Sequence, residues 1–158
     1  MLQKRVHAER LDAEFVNASI SGETTSGGKS RLAALLEQQR PALVVIELGA
    51  NDGLRGLSLA ATESNLRAMI DASRKTKAKI LLIGMRLPPN YGSDYTQKFS
   101  AIYAKLAKET DTALVPFFFA GLANRPDLFQ ADRIHPTADG QPILLDNVWP
   151  HIKPLLAR

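Results

Sequence analysis

Apolar positions along the chain follow two rhythms. Three runs, at residues 43–48 (LVVIEL), 79–84 (KILLIG) and 113–118 (ALVPFF), are short and nearly continuous. Their length and β-branched content predict strands buried on both faces of a parallel sheet. Pro116 puts the end of the third near a sheet edge or a strand terminus. Between the runs, apolar residues return every three or four positions: Leu32, Leu35 and Leu36; Leu66, Met69 and Ile70; Phe99, Ile102, Tyr103 and Leu106; Leu145, Val148, Trp149, Ile152 and Leu156. This spacing predicts four helices with one face toward a core, the first stopped at Pro41 and the last kinked at Pro150. Ser58 or Thr62 is suited to cap the second, and Ser93 or Asp94 the third. Residues 1–10 are mostly good helix formers and predict a helix or its last two turns. Residues 14–18 (EFVNA) read as a short strand entering a polar loop at 19–28. Strands alternating with helices make an α/β domain whose parallel sheet is covered on both faces through right-handed crossovers.

The candidate chemistry lies where these elements end. The run at 43–48 stops at Gly49-Ala50-Asn51-Asp52-Gly53, a turn at the carboxyl end of a strand, where open α/β sheets collect ligands. Asn51 offers a side-chain amide, and Gly22 a backbone amide that no Cβ obstructs. Together they suit an oxyanion hole; separately, each is an ordinary turn residue. In Asp132-Arg133-Ile134-His135-Pro136, an acid and a histidine three residues apart can meet across a tight turn, the carboxylate then fixing the imidazole tautomer. The plainer alternative is an exposed histidine beside a surface aspartate. His7 and His151, on terminal helices without a neighbouring pattern, are expected to be solvated. Residues 85–93 (MRLPPNYGS) form a shaped connection, with two prolines and a glycine.

Composition narrows the classes. The 158 residues are 45% hydrophobic and 23% charged, which is globular and large enough for one core. The net charge of +4 rests on 20 scattered Lys and Arg residues, a solvated basic surface rather than a nucleic-acid face. Without cysteine there is no disulfide, thiolate metal site or cysteine nucleophile. No apolar run approaches the length of a membrane span, and no apolar stretch follows the basic start to make a signal peptide. Residues 23–30 (ETTSGGKS) approach a phosphate-cradling loop, but Glu23 stands where the first glycine is needed and would repel phosphate. A metal-dependent hydrolase built on Asp52, Asp132 and His135 has only one well-placed histidine.

Four blocks occur in order: Asn17-Ala18-Ser19-Ile20-Ser21-Gly22-Glu23-Thr24, Gly49-Ala50-Asn51-Asp52, Arg86-Leu87-Pro88-Pro89-Asn90-Tyr91-Gly92 and Asp132-Arg133-Ile134-His135-Pro136. Over nearly the whole chain this series resembles the SGNH (GDSL) hydrolases, and within them the bacterial acyl-CoA thioesterase, lysophospholipase and arylesterase group. The resemblance implies a flavodoxin-like three-layer α/β/α sandwich. It also implies serine-dependent hydrolysis of a small-molecule acyl ester or thioester, with no cofactor and no metal. Residue by residue, it makes Gly22 and Asn51 the oxyanion-hole donors, His135 the general base and Asp132 the group orienting it. Leu87 and Pro88 would line the acyl groove, and the segment from Asp52 would be a mobile loop closing over the acyl chain.

The family's first block, Gly-Asp-Ser-Leu or similar, carries the nucleophilic serine and does not occur here. The expectation is a single domain over residues 1–158 that is N-terminally incomplete by about 30 residues, the size of a strand, loop and partial helix. The place of that first strand lies between residues 14–18 and 43–48. Ser19 and Ser21 are expected to be turn or core hydroxyls rather than substitute nucleophiles. Such a chain is expected to show little or no hydrolase activity, the alternative being an inactive remnant able only to bind acyl ligands, and the gap in its sheet is expected to favour a homo-oligomer or a rearranged edge. Any export signal would lie upstream, making the protein periplasmic or secreted if one exists and cytoplasmic otherwise.

Overall fold

The structure is a computed structural model that describes residues 1–157. In chain order its elements are α1 (Leu2–Ala8), α2 (Thr25–Gln39), β1 (Leu43–Ile46), α3 (Ala50–Leu54), α4 (Leu59–Lys75), β2 (Lys79–Ile83), α5 (Ser93–Glu109), β3 (Ala113–Val115) and α6 (Gln141–Leu156). Short 3-10 turns lie at Pro89–Tyr91, Pro126–Leu128 and Ala138–Gly140. The class is α/β with a parallel sheet and flanking helices, as the two hydrophobic rhythms predict. The chain forms two compact units, one of Asn17–Pro116 and one of residues 1–16 with 117–157.

The larger unit holds the sheet, in the order β1-β2-β3 with both pairings parallel. Leu43 pairs with Lys79 and Ile46 with Leu82, while Leu81 pairs with Ala113 and Ile83 with Val115. Central β2 is buried from Ile80 to Ile83, which is why its sequence is continuously apolar rather than alternating. Leu66, Met69 and Ile70 of α4 and Phe99, Ile102, Tyr103 and Leu106 of α5 are all buried, at the predicted spacing. Each such side chain contributes about 1.5–3 kcal/mol by leaving water. Phe99 and Tyr103 meet edge to face at 5.6 Å. Just past β2 the Gly84 N–H donates to the Val115 carbonyl at 2.8 Å. A Cβ on Gly84 would lie 2.4 Å from the Pro116 oxygen, so the approach of the two backbones admits only glycine.

In the smaller unit, Leu122, Leu128 and Leu144 make a core against Phe118, Phe119, Phe129 and Ile143. Leu144, Val148, Trp149 and Ile152 form the buried stripe of α6, a helix that continues through Pro150 and Pro154. The α1 helix docks on it through buried Val6, the Arg5 guanidinium 5.3 Å above the Trp149 ring, and an ion pair from Lys153 to Glu9 at 2.6 Å.

Several boundaries depart from the sequence reading. Residues 14–18 are not a strand: the described sheet has three strands and they are not among them. Side chains hold this stretch instead, the Gln3 amide oxygen accepting from Phe15 N–H at 2.8 Å and Arg31 donating to the Ala18 carbonyl at 2.6 Å. Extended sequence becomes strand only where a ladder partner exists. The α2 helix begins at Thr25, inside the expected loop, because Thr24 caps it by accepting from Gly27 N–H. Ser58 caps α4 as expected, but α5 starts after Gly92 with no side-chain cap; Asp94 lies in its first turn and pairs with Lys98. The third strand ends at Val115, immediately before Pro116.

Candidate active site

The strand β1 delivers the chain to Gly49, whose φ of +109° turns it directly into α3. Buried Tyr103 donates its hydroxyl to the Leu48 carbonyl at 2.9 Å, and a Cβ on Gly49 would stand 2.3 Å from that hydroxyl. Burial raises the Tyr103 pKa far above the ordinary phenol range, so this proton stays in place. Next in line, Asn51 donates from Nδ2 to the Glu23 carbonyl at 3.0 Å, and Arg55 donates to the Gly22 carbonyl at 2.9 Å. The two carbonyls are thereby pinned from α3, which fixes the loop carrying Gly22. Gly22 has φ +77°, and no hydrogen bond among the described residues uses its N–H. The structure thus joins the loops of Gly22 and Asn51 within one unit, with a backbone N–H and the second Asn51 amide hydrogen still to be used.

Asp52 is only 3% exposed. Its carboxylate accepts from Thr25 N–H at 2.9 Å, Thr25 Oγ1 at 2.6 Å and Thr62 Oγ1 at 3.4 Å. Asn65 in turn donates to Thr25 Oγ1 at 3.2 Å. The residue therefore ties the start of α2 to α3 and α4. Asp52 and Gly53 lie inside α3 and are buried, so at these two positions the structure shows a packed helical turn. Thr25 and Asn65 carried no signal in the sequence, because neither a threonine beside a glycine pair nor an asparagine in a helix announces a buried carboxylate partner.

In the other unit, Asp132 and His135 meet as their spacing suggests. Arg133 adopts φ +56°, which tightens the turn, and Asp132 Oδ1 accepts from Ile134 N–H at 2.9 Å and His135 N–H at 3.0 Å. Asp132 Oδ2 lies 2.7 Å from His135 Nδ1. A carboxylate can only accept, so Nδ1 carries the proton and the neutral imidazole presents a bare Nε2. The hydrogen bond from His135, joined by those from the two backbone amides, holds the Asp132 carboxyl down at about 2. An antiparallel bridge between Phe129 and Pro136, and a bond from Gln130 N–H to the His135 carbonyl at 2.8 Å, brace the loop from behind. The His135 side chain is 59% exposed.

The remaining candidates separate clearly. Leu87 is buried against Gly53, where a Cβ would meet its methyl at 2.6 Å, whereas Pro88 is exposed. Ser19 and Ser21 are exposed in the loop before Gly22. The phosphate-like loop is filled by its own side chain: Glu23 accepts from Thr24 N–H at 3.2 Å, pairs with Arg31 at 3.0 Å and covers Gly27. That leaves the start of α2 occupied by a carboxylate and closed to a nucleotide. Among the described residues no three His, Asp or Glu side chains gather as a metal site. His7 is exposed and bonded to Gln3, and no described helix is long and apolar enough to cross a membrane.

Comparison with known proteins identifies relatives of the chain and of its fold. The chain is 53% identical to Esterase TesA of Pseudomonas aeruginosa, over 99% of this chain and 78% of the relative. It is 48% identical to Thioesterase 1/protease 1/lysophospholipase L1 of Escherichia coli K12, over 89% of this chain and 68% of the relative. Its fold superposes on a crystal structure of TesA with a TM-score of 0.95 at 53% identity, covering 98% of this chain and 86% of the other. The sequence profile of the GDSL-like lipase/acylhydrolase family matches residues 2–143, and the chain belongs to that family.

Proposed function

We propose that the chain is the greater part of a single serine hydrolase domain acting on small acyl esters or thioesters. The observation that carries this reading is the hydrogen bond between Asp132 and His135, which leaves Nε2 as the free acceptor of an exposed ring. In the reaction, His135 Nε2 takes the proton of a serine hydroxyl as the oxygen attacks the acyl carbon, then returns it to the departing alkoxide or thiolate. Asp132 holds the ring and stabilises the imidazolium. The Gly22 N–H and the Asn51 amide serve the oxyanion of the tetrahedral intermediate. Leu87 and Pro88 belong to the acyl-binding side, and the relatives' names, esterase and thioesterase, support the substrate class.

The nucleophile comes from the Gly-Asp-Ser-Leu block that this sequence does not contain. Triad members act as a unit, so the chain as it stands is expected neither to hydrolyse p-nitrophenyl acetate or butyrate nor to take up a fluorophosphonate label. Turnover with one labelled serine would overturn that expectation and name the nucleophile. In a version carrying the block, His135→Ala should lower turnover by about three to six orders of magnitude. Unchanged turnover would remove His135 from the mechanism.

A further inference from the structure

The four residues Ile20 to Glu23 form a turn closed by Glu23 N–H, which donates to the Ile20 carbonyl at 3.2 Å. Gly22 stands third in it with φ +77°, a conformation suited to glycine at that place. The peptide that follows Gly22 is gripped at both ends, its N–H by the Ile20 carbonyl and its C=O by the Arg55 guanidinium at 2.9 Å. The other side of this grip is α3. Arg55 N–H donates to the Asn51 carbonyl at 3.1 Å, so the two residues lie one helical turn apart and their side chains leave the same face. They reach successive carbonyls of the loop, Arg55 that of Gly22 and Asn51 that of Glu23. Buried Asp52, between them in sequence, fastens α3 to Thr25 and Thr62.

On the reading of Gly22 and Asn51 as the oxyanion donors, we propose that Arg55 is a positioning residue of the hydrolase. Its guanidinium straps the Gly22 peptide to the same helical turn that carries Asn51, so that the two donors keep one fixed spacing. An oxyanion hole acts through donors already in place when charge develops. Glycine gives its N–H an unobstructed approach but has the least conformational restraint of any residue, and the strap supplies the restraint that its missing side chain cannot. Arg55 touches no reacting atom. It is exposed, and a hydrogen bond from an exposed guanidinium adds little to the stability of a fold, so its loss is to be read in turnover rather than in unfolding.

The 158-residue chain gives the first readout. In nitrogen relaxation measurements the Gly22 amide should be as ordered as a helix, with an order parameter of about 0.85, and should fall below about 0.6 in Arg55→Ala. The amide of Thr25, held by Asp52, should not change. In a version carrying the Gly-Asp-Ser-Leu block, Arg55→Ala should lower kcat for p-nitrophenyl butyrate about ten- to a hundredfold, with KM little changed. Arg55→Gln, which keeps part of the stem, should show the same split. An unchanged Gly22 amide, a loss confined to KM, or an unchanged kcat in an active parent would each overturn the proposal. A melting temperature lowered by both variants would also overturn it, because Arg55 would then be holding the fold. A parent without turnover would overturn the hydrolase reading instead, and the Gly22 amide would still decide whether Arg55 holds the loop.

Discussion

Asp132 accepts all its hydrogen bonds from a turn of three residues, and their strength sets its acidity. A carboxyl held at about 2 in the fold but ordinary in the unfolded chain contributes stability above pH ~4, and that contribution is lost as pH falls through about 2. The carbon resonance of the Asp132 carboxyl should therefore titrate near 2 rather than at the usual value near 4, and Ile134→Pro, which removes one donor, should move it upward. Gly49 makes a steric prediction. Gly49→Ala must adopt φ +109° and press its Cβ against the Tyr103 hydroxyl, at a cost of about 2–3 kcal/mol in urea denaturation. Tyr103→Phe removes the clashing oxygen, so the same alanine should cost less in that background. Both residues stand in motifs legible in the sequence, but the reason for glycine at 49, the approach of an aromatic ring 54 positions later, is a tertiary fact.

At the scale of elements, the sequence was clearest where burial follows a period. The stripes of α4 and α5 and the solid run of β2 lie where their spacing put them. It misled where a partner or a cap decides. Residues 14–18 have strand-like composition but no ladder, and α2 starts early because Thr24 supplies an acceptor to a glycine-rich turn. Asp52 illustrates the limit for the site. From the sequence it was the start of a mobile loop or a candidate metal ligand, whereas its carboxylate is the buried knot of α2, α3 and α4. Thr25→Val keeps the volume but removes a hydroxyl that donates to Asp52 and accepts from Asn65. It should cost about 1.5–3 kcal/mol in thermal or urea unfolding, and Asn65→Ala in the same background should add little because the shared partner is gone. An additive pair would mean that the three side chains are not one network.

For the molecule as a whole, the order of four weak blocks carried more information than any one of them, and the family match over residues 2–143 agrees with that order. The bonds around the Asp132 turn and those around Gly22 and Asn51 differ in a way that bears on how the chain reaches its fold. Those that build the Asp132 turn join residues two or three apart. Those that fix Gly22, Asn51 and Thr25 join residues 33, 28 and 27 apart and sit beside a parallel crossover. Closing a short loop takes tens of nanoseconds, whereas non-local pairings form orders of magnitude later. In a refolding experiment the Asp132–His135 pair is therefore assembled first, and Gly22 and Asn51 are placed only when the sheet closes. The side-chain amide of Asn51, not the imidazole of His135, is the group whose resonance times the arrival of the native state.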